Sequence, residues 1–179
     1  PLSTTVNYDG LMGDVTIGNT LVVDNGALLM RIDAVEADRI LCHVKTPGTM
    51  GSRRHINLPG VRLNLPALTE KDHKDLSLAV GCRADYIAGS FVRDSAHVRE
   101  LREAMLALEG ECQIVAKVED QEAIRNIDAI IHEADVIMIA RGDLGTEVEF
   151  EELPILQRRI IKRCHELGTR VIVATQLLE

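Results

Sequence analysis

The chain has 179 residues, enough for one ordinary domain or for one domain and part of another. Its net charge of −8 argues against a nucleic-acid or anionic-membrane surface, because phosphate groups and acidic lipids both attract Lys and Arg. No apolar run approaches the roughly 20 residues that cross a bilayer, and the N-terminus lacks a secretory signal. We therefore expect a cytoplasmic protein with small-molecule chemistry and with no nucleic-acid or membrane partner.

The cysteines lie far apart, with no CxxC pair, at Cys42, Cys82, Cys112 and Cys164. This spacing does not suit a zinc cluster, and the absence of a secretion signal argues against disulfides, so buried reduced thiols are expected. The histidines show no ligand spacing either, and His55, His73 and His97 are expected at the surface.

The chain begins without Met and stops at residues 176–179, in what the pattern indicates is the start of a helix with no cap after it. We therefore expect it to be a piece of a longer protein.

Residues 7 to about 56 show a β pattern without helices. Apolar runs at 21–23 and 27–32 flank Asp24-Asn25-Gly26, which predicts a hairpin because Asn and Gly tolerate positive φ. A third strand is predicted at 40–45. These strands predict a small all-β domain in residues 1–58.

Arg54 lies in the basic, Gly-led segment that follows the third strand. It is a candidate contact for an anion. The alternative is that this segment is a solvated linker.

Residues 59–179 alternate between predicted strands and amphipathic helices. Thr69 and Asp72 form the pattern of a capping box for a helix that reaches Val80, with Gly81 just after its end. Ser95 is predicted to cap the second helix, whose apolar face contains Val98, Leu101, Met105 and Leu108. An apolar stripe from Ala123 to Ala134 predicts the third helix, and Pro154 and Gly168 bound the fourth.

Strands are predicted at residues 86–91, 112–118, 136–140 and 171–174. Strand-helix alternation of this kind predicts parallel strands joined by right-handed crossovers. A complete eight-stranded barrel takes about 250 residues, so this region supplies about four units of a partial (β/α)8 TIM barrel. An open doubly wound sheet is the alternative, but the sequence contains neither a dinucleotide fingerprint nor a GxxxxGK phosphate loop.

Charged residues follow two of these strands. Lys117 and Glu119 point to the same side, since side chains alternate along a strand, and Asp143 follows the next strand. Two carboxylates at neighbouring strand ends make a hard-oxygen site suited to Mg²⁺ or Mn²⁺, with Lys117 placed to stabilise a developing anion. The alternative for Lys117 and Glu119 is a structural ion pair.

Gly142 lets the backbone come close to a ligand, and residues 143–146 are expected to form a short helical turn whose N–H groups hold a substrate carboxylate. Thr175, at the end of the last strand, is a candidate proton relay. Its simpler interpretation is a helix cap. Ser90, at the end of the first strand of the set, is ambiguous in the same way.

Six segments, in order, resemble the central part of pyruvate kinase: GSRRHINLPG, LPALTEKD, SFVRD, VAKVED, IMIARGDLG and VIVATQLLE. The resemblance covers nearly the whole chain. It implies that residues 1–58 are part of the mobile lid domain and that residues 59–179 correspond to the fourth to seventh strands of the catalytic barrel.

The resemblance also implies roles for individual residues. Lys117 matches the Lys that stabilises the transferring phosphoryl group and the enolate, and Glu119 and Asp143 match the carboxylates that hold Mg²⁺ or Mn²⁺. Gly142 and Asp143 match the amides that hold the substrate carboxylate, and Thr175 matches the Thr near the methylene carbon. The implied glycolytic reaction transfers a phosphoryl group from phosphoenolpyruvate to ADP, giving pyruvate and ATP.

In the family the strands that carry the phosphate-binding Arg residues and most of the K⁺ site precede the matched segment, and the parent enzyme is expected to be a homotetramer. We therefore expect this chain alone to be inactive, and to self-associate through exposed strand edges. Two other functions stay open: a metal-dependent lyase or aldolase of pyruvate-like substrates, and a non-catalytic interaction fragment.

Overall fold

The computed structural model of the protein describes residues 3–175, and the chain divides into two units after Leu65. The composition placed this boundary a few residues earlier, after residue 58. The helix start expected at residues 176–179 lies outside the described residues.

The N-terminal unit contains one short helix and a four-stranded antiparallel sheet. Its elements are α1 (Leu11–Asp14), β1 (Thr20–Val23), β2 (Leu28–Val35), β3 (Ile40–Val44) and β4 (Ile56–Asn57), and the strand order is β3-β2-β1-β4. Leu11, Leu21, Ile32 and Leu58 form its core. The expectation of no helix in this region was wrong, because a single turn is too short to leave a periodic apolar pattern.

The predicted hairpin is confirmed. Asp24, Asn25 and Gly26 all have positive φ, at 52°, 54° and 93°, and β1 pairs antiparallel with β2 on either side of them. Positive φ is the backbone conformation that Asn and Gly adopt most readily, which is why this turn could be located from the sequence.

The C-terminal unit is a mixed α/β structure around a parallel four-stranded sheet of order β5-β6-β7-β8. Its strands are β5 (Tyr86–Gly89), β6 (Gln113–Val118), β7 (Val136–Ala140) and β8 (Arg170–Ala174). Its helices are α2 (Glu70–Gly81), α3 (Ser95–Leu106), α4 (Gln121–Arg125), α5 (Ile127–Glu133), α6 (Arg141–Glu147) and α7 (Leu153–Leu167).

The helices pack against one face of this sheet. Ile114, Ala116 and Val118 of β6 lie in one core with Ile137 and Ile139 of β7 and with the apolar residues of the helices. The opposite face carries the alternate positions, and two of its apolar side chains, Tyr86 and Ile172, are 50% and 41% exposed. Lys117 belongs to this second face.

Long side chains link the two outer strands of the sheet. Arg170 of β8 reaches Tyr86 of β5, with its guanidinium 5.7 Å from the ring centroid and Nη1 3.1 Å from the hydroxyl oxygen. Arg170 also donates to Gln113 of β6.

Several helix ends differ from the expectation. Asp94, not Ser95, caps α3 by accepting a hydrogen bond from the His97 amide, and Leu108 lies beyond the helix and is 39% exposed. Gly81 is the last residue of α2 and not the residue after it, and the left-handed residue beyond this helix is Arg83. Beyond α3 the left-handed residue is Glu109. The capping box of Thr69 and Asp72 is confirmed.

The helix predicted from Ala123 to Ala134 is two helices, α4 and α5, which meet at Asn126. The apolar stripe continues across the break, with Ala123, Ile127, Ile130 and Ile131 all buried, so periodicity alone could not reveal it.

Two thiols differ from the expected burial. Cys112 and Cys164 are buried, but Cys82 is exposed and Cys42 is only partly buried; all four are free. Burial raises the pKa of Cys164 to about 11. His97 is also partly buried, although it was expected at the surface.

Among the helices of residues 3–175, none has the length and apolar character needed to span a membrane.

Candidate functional site

Lys117 and Glu119 form an ion pair at the carboxyl end of β6. Lys117 Nζ lies 2.8 Å from Glu119 Oε1, and the Glu119 side chain is only 1% exposed, against 24% for Lys117. The prediction that both point to one side of the strand is confirmed, while Ala116 and Val118 are buried under the helices. The pair gives this strand end a fixed carboxylate and a cation that solvent can reach.

Residues of the loop after β5 also form hydrogen bonds with Lys117 and Glu119. The Phe91 amide donates a hydrogen bond to Glu119 Oε2, and Lys117 Nζ donates to Ser90 Oγ at 3.0 Å. The Val92 amide donates to the Lys117 carbonyl at 3.3 Å. Phe91 has φ of 48°, a conformation that is rare for a bulky residue. Nothing in the sequence indicated this role, since Phe at a strand end is ordinary.

Asp120 fixes the direction of the chain after Glu119. Its Oδ1 accepts a 2.7 Å hydrogen bond from the Ala123 amide and so caps α4. Burial raises the pKa of Asp120. Because the cap lies one residue after Glu119, it limits where that carboxylate can point.

A second pair joins the ends of β7 and β8. The Gly142 amide donates a 3.0 Å hydrogen bond to Thr175 Oγ1, and Thr175 has φ of 65°. Thr175 therefore does not have the backbone of an ordinary strand residue, and the amides that it would cap as the first residue of a helix lie outside the described residues. A Cβ on Gly142 would lie 3.4 Å from Thr175 Oγ1, an ordinary contact distance, so the space at this position does not by itself require glycine.

Asp143 lies in the first turn of α6, which directly follows β7, and its carbonyl accepts from Thr146 Oγ1 at 2.7 Å. The helical turn predicted for residues 143–146 is confirmed. Arg141, the first residue of α6, has a buried Nε with no hydrogen-bond partner in the described part of the chain. A buried, unpaired guanidinium N–H is costly, and an anionic ligand at this end of the helix would offset that cost.

Arg54 belongs to the N-terminal unit. Its Nη1 lies 3.3 Å from Asp24 Oδ1, and both side chains are exposed, at 51% and 40%. The basic segment therefore makes an ion pair within its own unit.

The donor set at the strand ends fits a hard divalent cation. Residues 3–175 contain no group of three or more His, Cys, Asp or Glu side chains placed to hold a metal. Glu119 and Asp143 follow the neighbouring strands β6 and β7, whose register pairs Val118 with Ile139. Each carboxylate has about four lone-pair positions, so the two hydrogen bonds to Glu119 leave oxygen positions free for a metal that takes its other ligands from water and substrate.

The fold and these strand ends define an α/β protein whose charged residues gather at the carboxyl edge of a parallel sheet. The family model described as "Pyruvate kinase, barrel domain" matches residues 2–179. The chain therefore belongs to the pyruvate kinase family.

Similar proteins in this family include bacterial and plant pyruvate kinases. The chain is 41% identical over 182 residues to pyruvate kinase of Bacillus licheniformis and equally similar to that of Geobacillus stearothermophilus, in both cases over 100% of this chain and 31% of the relative. It is 40% identical over 174 residues to pyruvate kinase isozyme G, chloroplastic, of Ricinus communis, over 97% of this chain and 42% of the relative. The chain thus spans less than half the length of these relatives.

Proposed function

We propose that this chain supplies the lysine and the metal-binding carboxylates of a pyruvate kinase active site, for phosphoryl transfer between phosphoenolpyruvate and ADP. The observation that carries the proposal is the pair of Lys117 and Glu119: a buried carboxylate and a solvent-accessible ammonium 2.8 Å apart at the end of a parallel strand. Membership of the family supports this function over the lyase and non-catalytic alternatives.

Lys117 is proposed to stabilise negative charge on the transferring phosphoryl group and on the enolate that remains. Its ammonium is already oriented by Glu119 and Ser90, so little reorganisation is needed when charge develops. Preorganised positive charge of this kind accelerates a reaction because it binds the transition state more strongly than the ground state.

Glu119 and Asp143 are proposed to hold Mg²⁺ or Mn²⁺. When bound, the metal would supply positive charge next to the substrate oxygens. The hydrogen bond from Phe91 and the cap by Asp120 would keep the Glu119 carboxylate in one orientation for this purpose.

Gly142 and Asp143 are proposed to bind the substrate carboxylate through their amides, with Thr175 near the methylene carbon. The Gly142 amide donates to Thr175 Oγ1 in this structure, so substrate binding would replace or share that bond. Arg141, with its unpaired buried Nε, favours an anion at the same place.

The finer fold belongs to the same proposal. Helices packed against one face of a parallel sheet are typical of a (β/α)8 barrel, whereas a doubly wound sheet has helices on both faces. The C-terminal unit would then be part of the barrel, and the N-terminal unit part of the lid with Arg54 as a phosphate contact. A K⁺ requirement, a homotetrameric parent enzyme and a cytoplasmic location complete the proposal.

A chimera tests this function directly. Residues 1–179 replace the aligned third of the Bacillus licheniformis relative, and pyruvate formation is followed in a coupled lactate dehydrogenase assay. We expect activity in the chimera and a loss of about 10²–10³-fold in kcat for Lys117→Met. Equal turnover by the chimera with and without Lys117 would contradict the proposal.

Metal binding by the 179-residue chain gives a readout that does not depend on turnover. Mn²⁺ binding, measured by electron paramagnetic resonance, is expected to weaken in Glu119→Gln and Asp143→Asn. Asp128→Asn, a carboxylate on α5, is the matched control and should bind Mn²⁺ as the parent chain does. Unchanged Mn²⁺ binding in both site variants would contradict the proposal that Glu119 and Asp143 hold the metal.

A further inference from the structure

A basic groove lies between α5 and α7, two of the helices that cover the sheet. It has a volume of about 510 Å³, within the range of small-molecule sites. Its charged lining consists of Arg125, Asp128, Arg159, Lys162, Arg163 and Glu166. Four cations face two carboxylates here, an excess of two positive charges in a chain whose net charge is −8.

Both carboxylates of the groove are bound to a single arginine. Arg163 donates from Nε and Nη2 to the two oxygens of Asp128, at 2.7 and 3.0 Å, and from Nη1 to Glu166 at 3.1 Å. The bond from Arg163, followed by the charges of Arg163, His132 and Arg159, lowers the pKa of Asp128. Neither carboxylate is therefore available to neutralise the other cations fully.

Three cations remain around this bridge. Arg159 makes no ion pair within residues 3–175, and Arg125 has a 3.3 Å hydrogen bond to the neutral Gln121 side chain. Lys162 lies 3.8 Å from Glu166, at the limit of an ion pair. On α7, Arg159, Lys162 and Arg163 share one side because they are three and four residues apart.

We propose that the groove between α5 and α7 binds a phosphate group, either as inorganic phosphate or as part of a small phosphorylated molecule. Arg125 and Arg159 bind its oxygens through their guanidinium groups, whose geometry matches phosphate, and Lys162 adds a point charge. Arg163, held by two carboxylates, fixes the wall of the groove. The groove shares no lining residue with the proposed active site, and the proposal does not depend on that function.

Isothermal titration calorimetry with inorganic phosphate tests the proposal, at an ionic strength held constant with NaCl. We expect binding by the parent chain and at least a tenfold weaker association constant for Arg159→Gln, a change of about 1.4 kcal/mol. Arg158→Gln removes the neighbouring exposed charge, which lies outside the groove, and should bind within twofold of the parent. Glycerol 3-phosphate in a parallel titration shows whether free or esterified phosphate is preferred.

Amide chemical shifts locate the bound phosphate. Titration is expected to move the amide resonances of Asp128, Arg159 and Lys162 while that of Gly142 stays in place. Equal weakening by Arg158→Gln and Arg159→Gln, or shifts confined to Gly142 and its neighbours, would overturn the groove site. Neither result would bear on the metal-binding test of Glu119 and Asp143.

Discussion

The ammonium of Lys117 lies 2.8 Å from Oε1 of Glu119, and the two side chains differ in exposure, at 24% and 1%. Glu119 is thus a buried carboxylate whose nearest positive charge comes from a partly exposed residue. Its second oxygen has the Phe91 amide as donor. Such a pair is stable only while both partners are present, because an unpaired buried charge is strongly destabilising.

Lys117→Met should therefore lower the free energy of unfolding by about 3 kcal/mol, since it leaves the Glu119 carboxylate buried without its cation. Adding Glu119→Gln should restore part of this loss, because the neutral amide needs no counter-charge. Urea denaturation measures both. Lys71→Met removes a lysine from an exposed ion pair on α2 and should cause no measurable change. A double variant as unstable as the single one would show that the two residues are not coupled.

Of the neighbouring residues Asp94 and Ser95, Asp94 is the one that caps α3. Asp94 accepts from the His97 amide, whereas the Ser95 hydroxyl accepts from the Arg99 guanidinium at 3.3 Å. Asp94→Ala should cost about 1 kcal/mol of unfolding free energy and Ser95→Ala clearly less, as measured in urea. The reverse order would mean that Ser95 is the cap, as the sequence suggested.

Two glycines at helix ends should respond in opposite directions to alanine. Gly168 ends α7 with φ of 74°, where a side chain is strained, so Gly168→Ala should destabilise by about 1 kcal/mol. Gly81 ends α2 in helical conformation with open space around its Cα. Gly81→Ala should raise the thermal unfolding midpoint, because alanine is the better helix former. Shifts of the same sign in both variants would contradict this assignment.

Because of His97, the free energy of unfolding should fall as the pH falls. Burial lowers the pKa of His97 below its ordinary value of 6.5, and the nearby charge of Arg93 lowers it further. Below pH 6.5 the unfolded chain binds a proton that folded His97 does not, so unfolding becomes more favourable as the pH falls through that value towards the folded pKa. An NMR titration should place the His97 midpoint below 6.5.

His97→Gln provides the comparison for this pH dependence. Its free energy of unfolding should fall less steeply than that of the parent chain as the pH drops below 6.5, since the variant has no imidazole to protonate. Parallel pH profiles for the two proteins would show that His97 does not carry the effect.

The sequence predicted the parallel sheet well because its strands are short apolar runs with charge directly after them. Strand β7 has the predicted bounds, and the same-side placement of Lys117 and Glu119 follows from alternation alone. What the sequence could not provide are contacts between separate segments. The amide of Phe91 on Glu119 and the hydroxyl of Thr175 on the Gly142 amide depend on how loops from neighbouring strands meet.

Local ambiguity accounts for other errors. Asp94 and Ser95 are both good caps, so residue type could not choose between them. Asn126 interrupts an apolar stripe that continues on both sides, and the resulting two helices keep the same buried face. The preference of a residue type applies to one position at a time. It cannot decide which of two adjacent positions caps a helix, or whether a helix breaks between them.

Arg170 over the ring of Tyr86 gives the protein an optical reporter. The chain has two tyrosines and no tryptophan, so Tyr8→Phe leaves Tyr86 as the sole strong fluorophore. Its emission would then follow the distance between the first and last strands of the parallel sheet, because separating these strands moves the guanidinium away from the ring.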